Sequence, residues 1–165
     1  SVLSIQDPRE RPMDKRDAAD NAHAKFAGEG SDFMSYLKLW DWFDHALKNK
    51  KSNKDLLNQC HSNFLSFLRL KEWRELHAQL LEIASELELK LNEKEANYEQ
   101  IHKALLAGLL GNIGFKDGES ESYAGARGIR FHIAPGSTLK KERQKGVMAA
   151  EVVDTRQLYA RCDLA

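Results

Sequence analysis

The sequence lacks most of what a catalytic or metal-binding protein advertises. Of its 165 residues only two are cysteine and three proline. Cys60 and Cys162 stand far apart, belong to no CxxC pair, and have no histidines at ligand spacing around them. A zinc site is therefore not expected, and each cysteine reads as a small buried apolar group in a reduced, cytoplasmic setting. There is no phosphate loop of the form G-x-x-x-x-G-K-[ST]; the Lys51-Ser52 pair has no glycines ahead of it. A dinucleotide G-x-G-x-x-G, a G-x-S-x-G elbow and an H-E-x-x-H helix are missing too. The acids Glu119 and Glu121 lie in a loop-like stretch and read as solvated charge. No apolar run approaches the ~20 residues that span a bilayer, so no membrane partner is expected. The start, Ser1-Val2-Leu3-Ser4-Ile5, has neither the basic region nor the apolar stretch of a secretory signal, and no initiator Met. That points to a segment of a larger polypeptide. Net charge is absent as well: 25 Lys and Arg balance 25 Asp and Glu, so the total selects no class of partner.

What is present is, first, helical period. From Cys60 to Leu91, Leu65, Leu68, Trp73, Leu76, Leu80, Ile83 and Leu87 recur at helical spacing, which predicts one long helix with these residues as core. Phe64, Phe67 and Leu70 widen the stripe, and Ser62 or Asn63 is the expected cap. Before it, Pro8 and Pro12 oppose a continuous helix, so an apolar tail, an irregular connector and a short helix around Ala18–Phe26 are expected. Ser31 is placed to cap a helix from Asp32 to about Leu47, with Phe33, Tyr36, Leu37, Trp40, Phe43 and Leu47 on one face. Helical spacing makes those aromatics core rather than a base-stacking platform. Ser52 suits the cap of a short helix to Cys60, and Asn97 with Gln100 forms a capping-box pattern ahead of Ile101, Leu105 and Leu109.

From Asn112 onward the character changes. Short candidate strands at Asn112–Lys116, Glu121–Gly125, Ile129–Ala134, Val147–Asp154 and Leu158–Cys162 are separated by Gly, Pro, Asp and Ser. Close spacing of short strands predicts a small antiparallel barrel or sandwich. The class is thus α+β, with a helical bundle followed by a small antiparallel β barrel. Local charge also departs from the neutral total. Residues 125–165 hold eight bases and four acids, several of the bases in the run Lys140–Lys145. Basic loops on a small barrel suit single-stranded nucleic acid, whose phosphates attract mobile cations; a merely solvated loop is the plainer alternative.

The order of several short blocks carries further information: Leu3–Pro12 (LSIQDPRERP), Ser31-Asp32-Phe33 with Leu39-Trp40, and Cys60 with Phe64-Leu65 and Glu72-Trp73. They continue through Ile101–Gly114 (IHKALLAGLLGNIG), Tyr123–Ala126 (YAGA), Arg130–Ser137 (RFHIAPGS) and Val147–Tyr159 (VMAAEVVDTRQLY). Together these blocks resemble the C-terminal accessory region of DEAH-box RNA helicases, most closely the bacterial HrpA-type enzymes. The resemblance implies the end of a winged-helix domain over residues 1–25, a helical ratchet-like domain over 26–103 and an OB-fold over 104–165. It implies that ATP and Mg are bound by motor lobes absent from this chain, that no cofactor is held here, and that single-stranded RNA and the motor lobes of the same polypeptide are the partners. Lys116, Arg127, Arg130, His132, Ser137, Lys140 and Lys141 are then the candidate RNA-facing residues. A platform that docks the motor lobes or a regulatory partner is the alternative. One departure stands out: where the family pattern has Pro and Trp before the Val-Met strand, this chain has Gln144-Lys145-Gly146. That puts in doubt any stacking by an aromatic there.

Overall fold

A computed structural model describes residues 1–28, 30–118, 120–141, 144–154 and 158–164, with backbone alone for residues 2, 141, 151–154 and 158–164. The chain divides into two compact units, Ser1–Phe26 with Tyr36–Lys94, and Ala27–Ser35 with Glu95–Ala165.

The first unit is helical. Short helix α1 (Arg16–His23) runs into a three-ten turn at Ala24–Phe26, close to the short helix expected there. Helix α2 (Asp32–Asn49) contributes Tyr36, Leu39, Phe43 and Ala46, spaced by threes and fours, to the core. Helix α3 (Asn53–Ser62) starts on Ser52, whose hydroxyl accepts the Asp55 amide at 3.1 Å, and buries Leu56 and Cys60. Burial pushes the Cys60 thiol up to about 11, which keeps it protonated and inert. Helix α4 (Phe67–Glu86) closes the unit with Leu70 and Trp73 buried. The Trp73 ring stands edge-on to Trp40 at 5.0 Å, and its indole N–H donates to Ser1 Oγ at 3.0 Å.

Two expectations about this region are corrected. The long helix expected within Cys60–Leu91 is α4 alone and starts at Phe67 rather than directly after Ser62 or Asn63, because the chain breaks at Asn63–Ser66; α3 is the short helix expected after Ser52. Phe64 takes a left-handed conformation, φ 52°, and the N-terminal tail pairs with the break. Glu10 N–H donates to Phe64 O, and Ser66 N–H to Pro8 O, both at 2.8 Å. Backbone groups that a helix would have satisfied internally are satisfied by distant chain instead, and the cap of α4 is Ser66 rather than Ser62 or Asn63. The stripe is also not core along its length. Leu65, Leu70 and Trp73 are buried, whereas Leu68, Leu80, Ile83 and Leu87 are exposed. The unit's core holds no α4 residue beyond Trp73; past it His77 packs edge-on against Trp40 at 4.8 Å, while Leu80, Ile83 and Leu87 find no place in that core.

In the second unit, residues 27–35 are tied to helix α5 (Tyr98–Gly108) and to Thr138. Ser31 accepts the Met34 amide at 3.1 Å, as expected of a cap. Its hydroxyl also meets His102 Nε2 at 2.8 Å, and Tyr98 OH donates to Gly30 O at 3.3 Å. Helix α5 begins with the predicted capping box, in which Asn97 and Gln100 each take the other's backbone amide. Strands β1 (Ile113–Lys116), β2 (Tyr123–Ala124), β3 (Arg130–Ile133), β4 (Gly146–Asp154) and β5 (Leu158–Leu164) form a closed barrel in the order β1-β2-β3-β5-β4. Every pairing is antiparallel except β3 with β5, which is parallel. All five strands lie within or beside their predicted segments. The core is Tyr123, Phe131, Ile133, Leu139, Val147 and Ala149. Among the described residues no helix is long and apolar enough to cross a membrane.

Candidate nucleic-acid interface

Alternation along a strand sends neighbouring side chains to opposite faces of the barrel. On β3, Phe131 and Ile133 point inward and are buried, so Arg130 and His132 share the outward face. On β2, Tyr123 is inward and Ala124 outward. On β1, Gly114 lies under the Phe131 ring: a Cβ there would stand 2.4 Å from Phe131 Cζ. Its neighbour Phe115 is therefore outward, and the residue is 65% exposed. Register aligns these positions. Phe115 pairs with Ala124 on one side and Gly146 on the other, and Ala124 pairs with Arg130. One outward row thus reads Gly146, Phe115, Ala124, Arg130.

Cations flank this row. Arg130 Nη2 lies 2.9 Å from Asp117 Oδ2, with the arginine side chain 70% and the aspartate 36% exposed. An exposed pair of this kind contributes about 0–1 kcal/mol, so another anion can compete for the guanidinium. Arg127 occupies the tight turn between β2 and β3. It holds φ 58° and ψ 24°, and Gly128 follows at φ 75°, two left-handed residues at the centre of a turn closed by the Ile129 amide on Ala126 O at 3.2 Å. For a residue with a Cβ this conformation costs about 1–3 kcal/mol, and it leaves the Arg127 side chain exposed.

The other candidates are placed as follows. Lys116 ends β1, half-buried, its amide bonded to Lys145 O at 2.9 Å. His132 is half-buried beside Arg130 on the outward face. Ser137, Lys140 and Lys141 belong to the connection between β3 and β4. There Ser137 caps the three-ten turn Thr138–Lys141, accepting the Leu139 amide at 3.2 Å. The turn is anchored by buried Asp32, whose carboxylate accepts the Thr138 amide at 3.1 Å. Lys140 is exposed, and the side chain of Lys141 lies outside the described residues. Arg130 and His132 are thus brought together on one face, while the lysine pair sits on a separate segment. Among the described residues no group of His, Cys, Asp and Glu could hold a metal ion.

Residues 101–164 match the family of oligonucleotide/oligosaccharide-binding (OB)-folds. Over 161 residues, 98% of this chain, the sequence is 45% identical to the ATP-dependent RNA helicase HrpA homolog of Haemophilus influenzae and equally to the ATP-dependent RNA helicase HrpA of Escherichia coli. The chain carries a HrpA-type OB-fold region. It spans 12% of the length of each of those relatives. Similarity extends to the ATP-dependent RNA helicase DHX33 of Drosophila melanogaster, 30% identical over 98% of this chain and 22% of that protein.

Within the HrpA-type region, the barrel order and its parallel β3–β5 closure agree with an OB-fold, whose binding surface commonly lies across strands 2 and 3 and the adjoining loops. The outward row is on that side. Sequence reasoning found the strand Asn112–Lys116 but not Phe115. The available signal was period 2 around Gly114, which puts Phe115 opposite a position needing no side chain. Its small neighbours, Ala124 and Gly146, come from register alone.

Proposed function

We propose that this chain is an accessory module of an ATP-dependent RNA helicase that grips single-stranded RNA while motor lobes elsewhere in the polypeptide cycle. The observation that carries the reading is the outward side of β1, β2 and β3, where an exposed aromatic, a small residue and an arginine lie in register on an OB-fold. Single strands bind such surfaces by stacking and phosphate neutralisation. Arg127, Arg130, Lys116, Lys140 and Lys141 supply positive charge, His132 a half-buried imidazole on the same face as Arg130, and Ser137 a hydroxyl. The names of the relatives support RNA as the nucleic acid. ATP and Mg belong to the motor lobes, and this chain contributes no catalysis of its own. A cytoplasmic setting suits Cys60, a buried free thiol.

The test is a filter-binding titration of the 165-residue chain with labelled single-stranded RNA at several salt concentrations. Each phosphate neutralised contributes about −0.7 to the slope of log affinity against log salt. Replacing Lys140 and Lys141 together by Glu should weaken binding to all sequences alike and flatten the slope by about 1–1.5. A second reading, a docking platform for the motor lobes or a regulatory partner, is favoured by the exposed Leu80, Ile83 and Leu87 of α4 and its cap. An unchanged RNA slope in the double variant, with lost capture of separately expressed motor lobes, would replace the first reading by the second.

A further inference from the structure

Phe115 is the most exposed aromatic among the described residues, and its neighbours leave it uncovered. Residues directly opposite across an antiparallel pair have Cβ atoms about 4.5–5.5 Å apart, close enough for a larger side chain to lie over the ring. Here the two cross-strand positions are Gly146, with no side chain, and Ala124, with a methyl. Beyond Ala124 stands Arg130, two strand spacings or about 9.5 Å from the Phe115 backbone. An arginine side chain can cover much of that distance. It is engaged by Asp117 at 2.9 Å, but the pair is exposed and weakly held. Asp117 begins the β1–β2 connection, its amide bonded to Ser122 O at 3.1 Å, so its backbone is fixed while the Arg130 head can leave it.

We propose that the row Gly146–Phe115–Ala124–Arg130 is a shelf for one nucleotide of a single-stranded RNA. The base stacks on the Phe115 ring over the gap left by Gly146, and Arg130 exchanges Asp117 for the adjoining phosphate. The shelf rests on the RNA-gripping reading and adds to it a named stacking residue and a local acid that competes with RNA for Arg130. Because every base has a π face, the shelf accepts any base without reading its edges.

The experiment uses the 165-residue chain and single-stranded RNA with one 2-aminopurine, whose fluorescence falls when its base stacks. Wild-type protein should bind and quench the probe. Phe115→Ala should lose quenching and weaken binding by about 5- to 160-fold, the range for one stacked base, with the salt slope unchanged. Phe115→Trp should restore both, and Phe115→Leu, apolar but not planar, should restore neither. Arg130→Gln should keep the quenching and flatten the salt slope by about 0.7, one phosphate's share. Asp117→Asn should bind more tightly than wild type, by removing the competing carboxylate. If Phe115→Ala binds and quenches as wild type does, the shelf is wrong while RNA gripping stands. If the wild-type chain fails to bind RNA even at low salt, the gripping reading falls and the shelf with it.

Discussion

Replacing Gly114 by Ala tests how tightly the barrel interior is packed. The added Cβ would lie 2.4 Å from Phe131 Cζ and 2.7 Å from Cε1, with Tyr123 Cβ at 3.4 Å. Carbon atoms are best placed about 3.5–4.0 Å apart, so the ring has to retreat by about 1 Å. It has little room to do so. Phe131 is 2% exposed, it stacks on Tyr123 with centroids 5.9 Å apart, and Gly125 lies close enough that a Cβ there would be 3.2 Å from the ring. Alanine in a strand gains about 0.5–1 kcal/mol over glycine from backbone entropy, whereas overpacking a filled core costs about 1–3 kcal/mol. The net expectation is a loss of about 0.5–2 kcal/mol. The diagnostic feature is its dependence on the ring: in a Phe131→Leu background the cost should shrink to near zero or change sign, since the obstructing atoms are gone. A chain of two compact units need not unfold in one step, so the assay is hydrogen–deuterium exchange under denaturant, read on peptides spanning 113–133. Greater protection in Gly114→Ala, or the same cost in both backgrounds, would refute the packing argument.

Two further outcomes follow from the helical unit. Trp73→Ala should lower stability by about 3–5 kcal/mol, because the indole is 5% exposed and packs edge-on against Trp40 and Tyr36; an unchanged melting temperature would place Trp73 outside the core. Acidification should act first through His77 and His23, whose pKa values are both lowered chiefly by burial. At His23 burial holds the pKa below the usual 6.5, outweighing the bond from Nε2–H to Phe64 O. The unfolded chain therefore takes up the proton more readily, and stability falls as pH drops through about 6.5. Asp7 adds a loss at lower pH: burial pushes its carboxyl up, but Arg9 and Tyr36 more than reverse this and hold it below 3.8. Its contribution is present above 3.8 and is lost as pH falls through the lowered folded value. Denaturant midpoints at pH 7 and 5.5 should differ in wild type and differ less in His23→Gln, which keeps an N–H for Phe64 O. Equal midpoints in wild type would show the sign is wrong.

The sequence by itself determined what depends on near neighbours. Ser31, Ser52 and the Asn97–Gln100 box cap their helices as read, because a cap is settled within three residues. The five strand segments were legible for the same reason, through short alternation and the turn residues between them, and they were enough to set the α+β class. The start of the long helix at Phe67 was not legible. Its period continues through Asn63–Ser66, and only the pairing of Pro8 and Glu10 with that segment makes a break cheaper than a turn of helix. Burial along α4 likewise depended on what lies opposite: Leu70 and Trp73 meet the core while Leu80 and Ile83, equally periodic, meet none of it. The candidate site was half visible. Arg127, Arg130 and the lysines stood out as local charge, but charge does not say which face a residue occupies or what it pairs with. That Phe115 stands between Gly146 and Ala124, and that Arg130 reaches Asp117, was decided by strand register. Register joins residues such as Ile113 and Met148, 35 positions apart, and barrel closure fixes it, which no local pattern in the chain encodes.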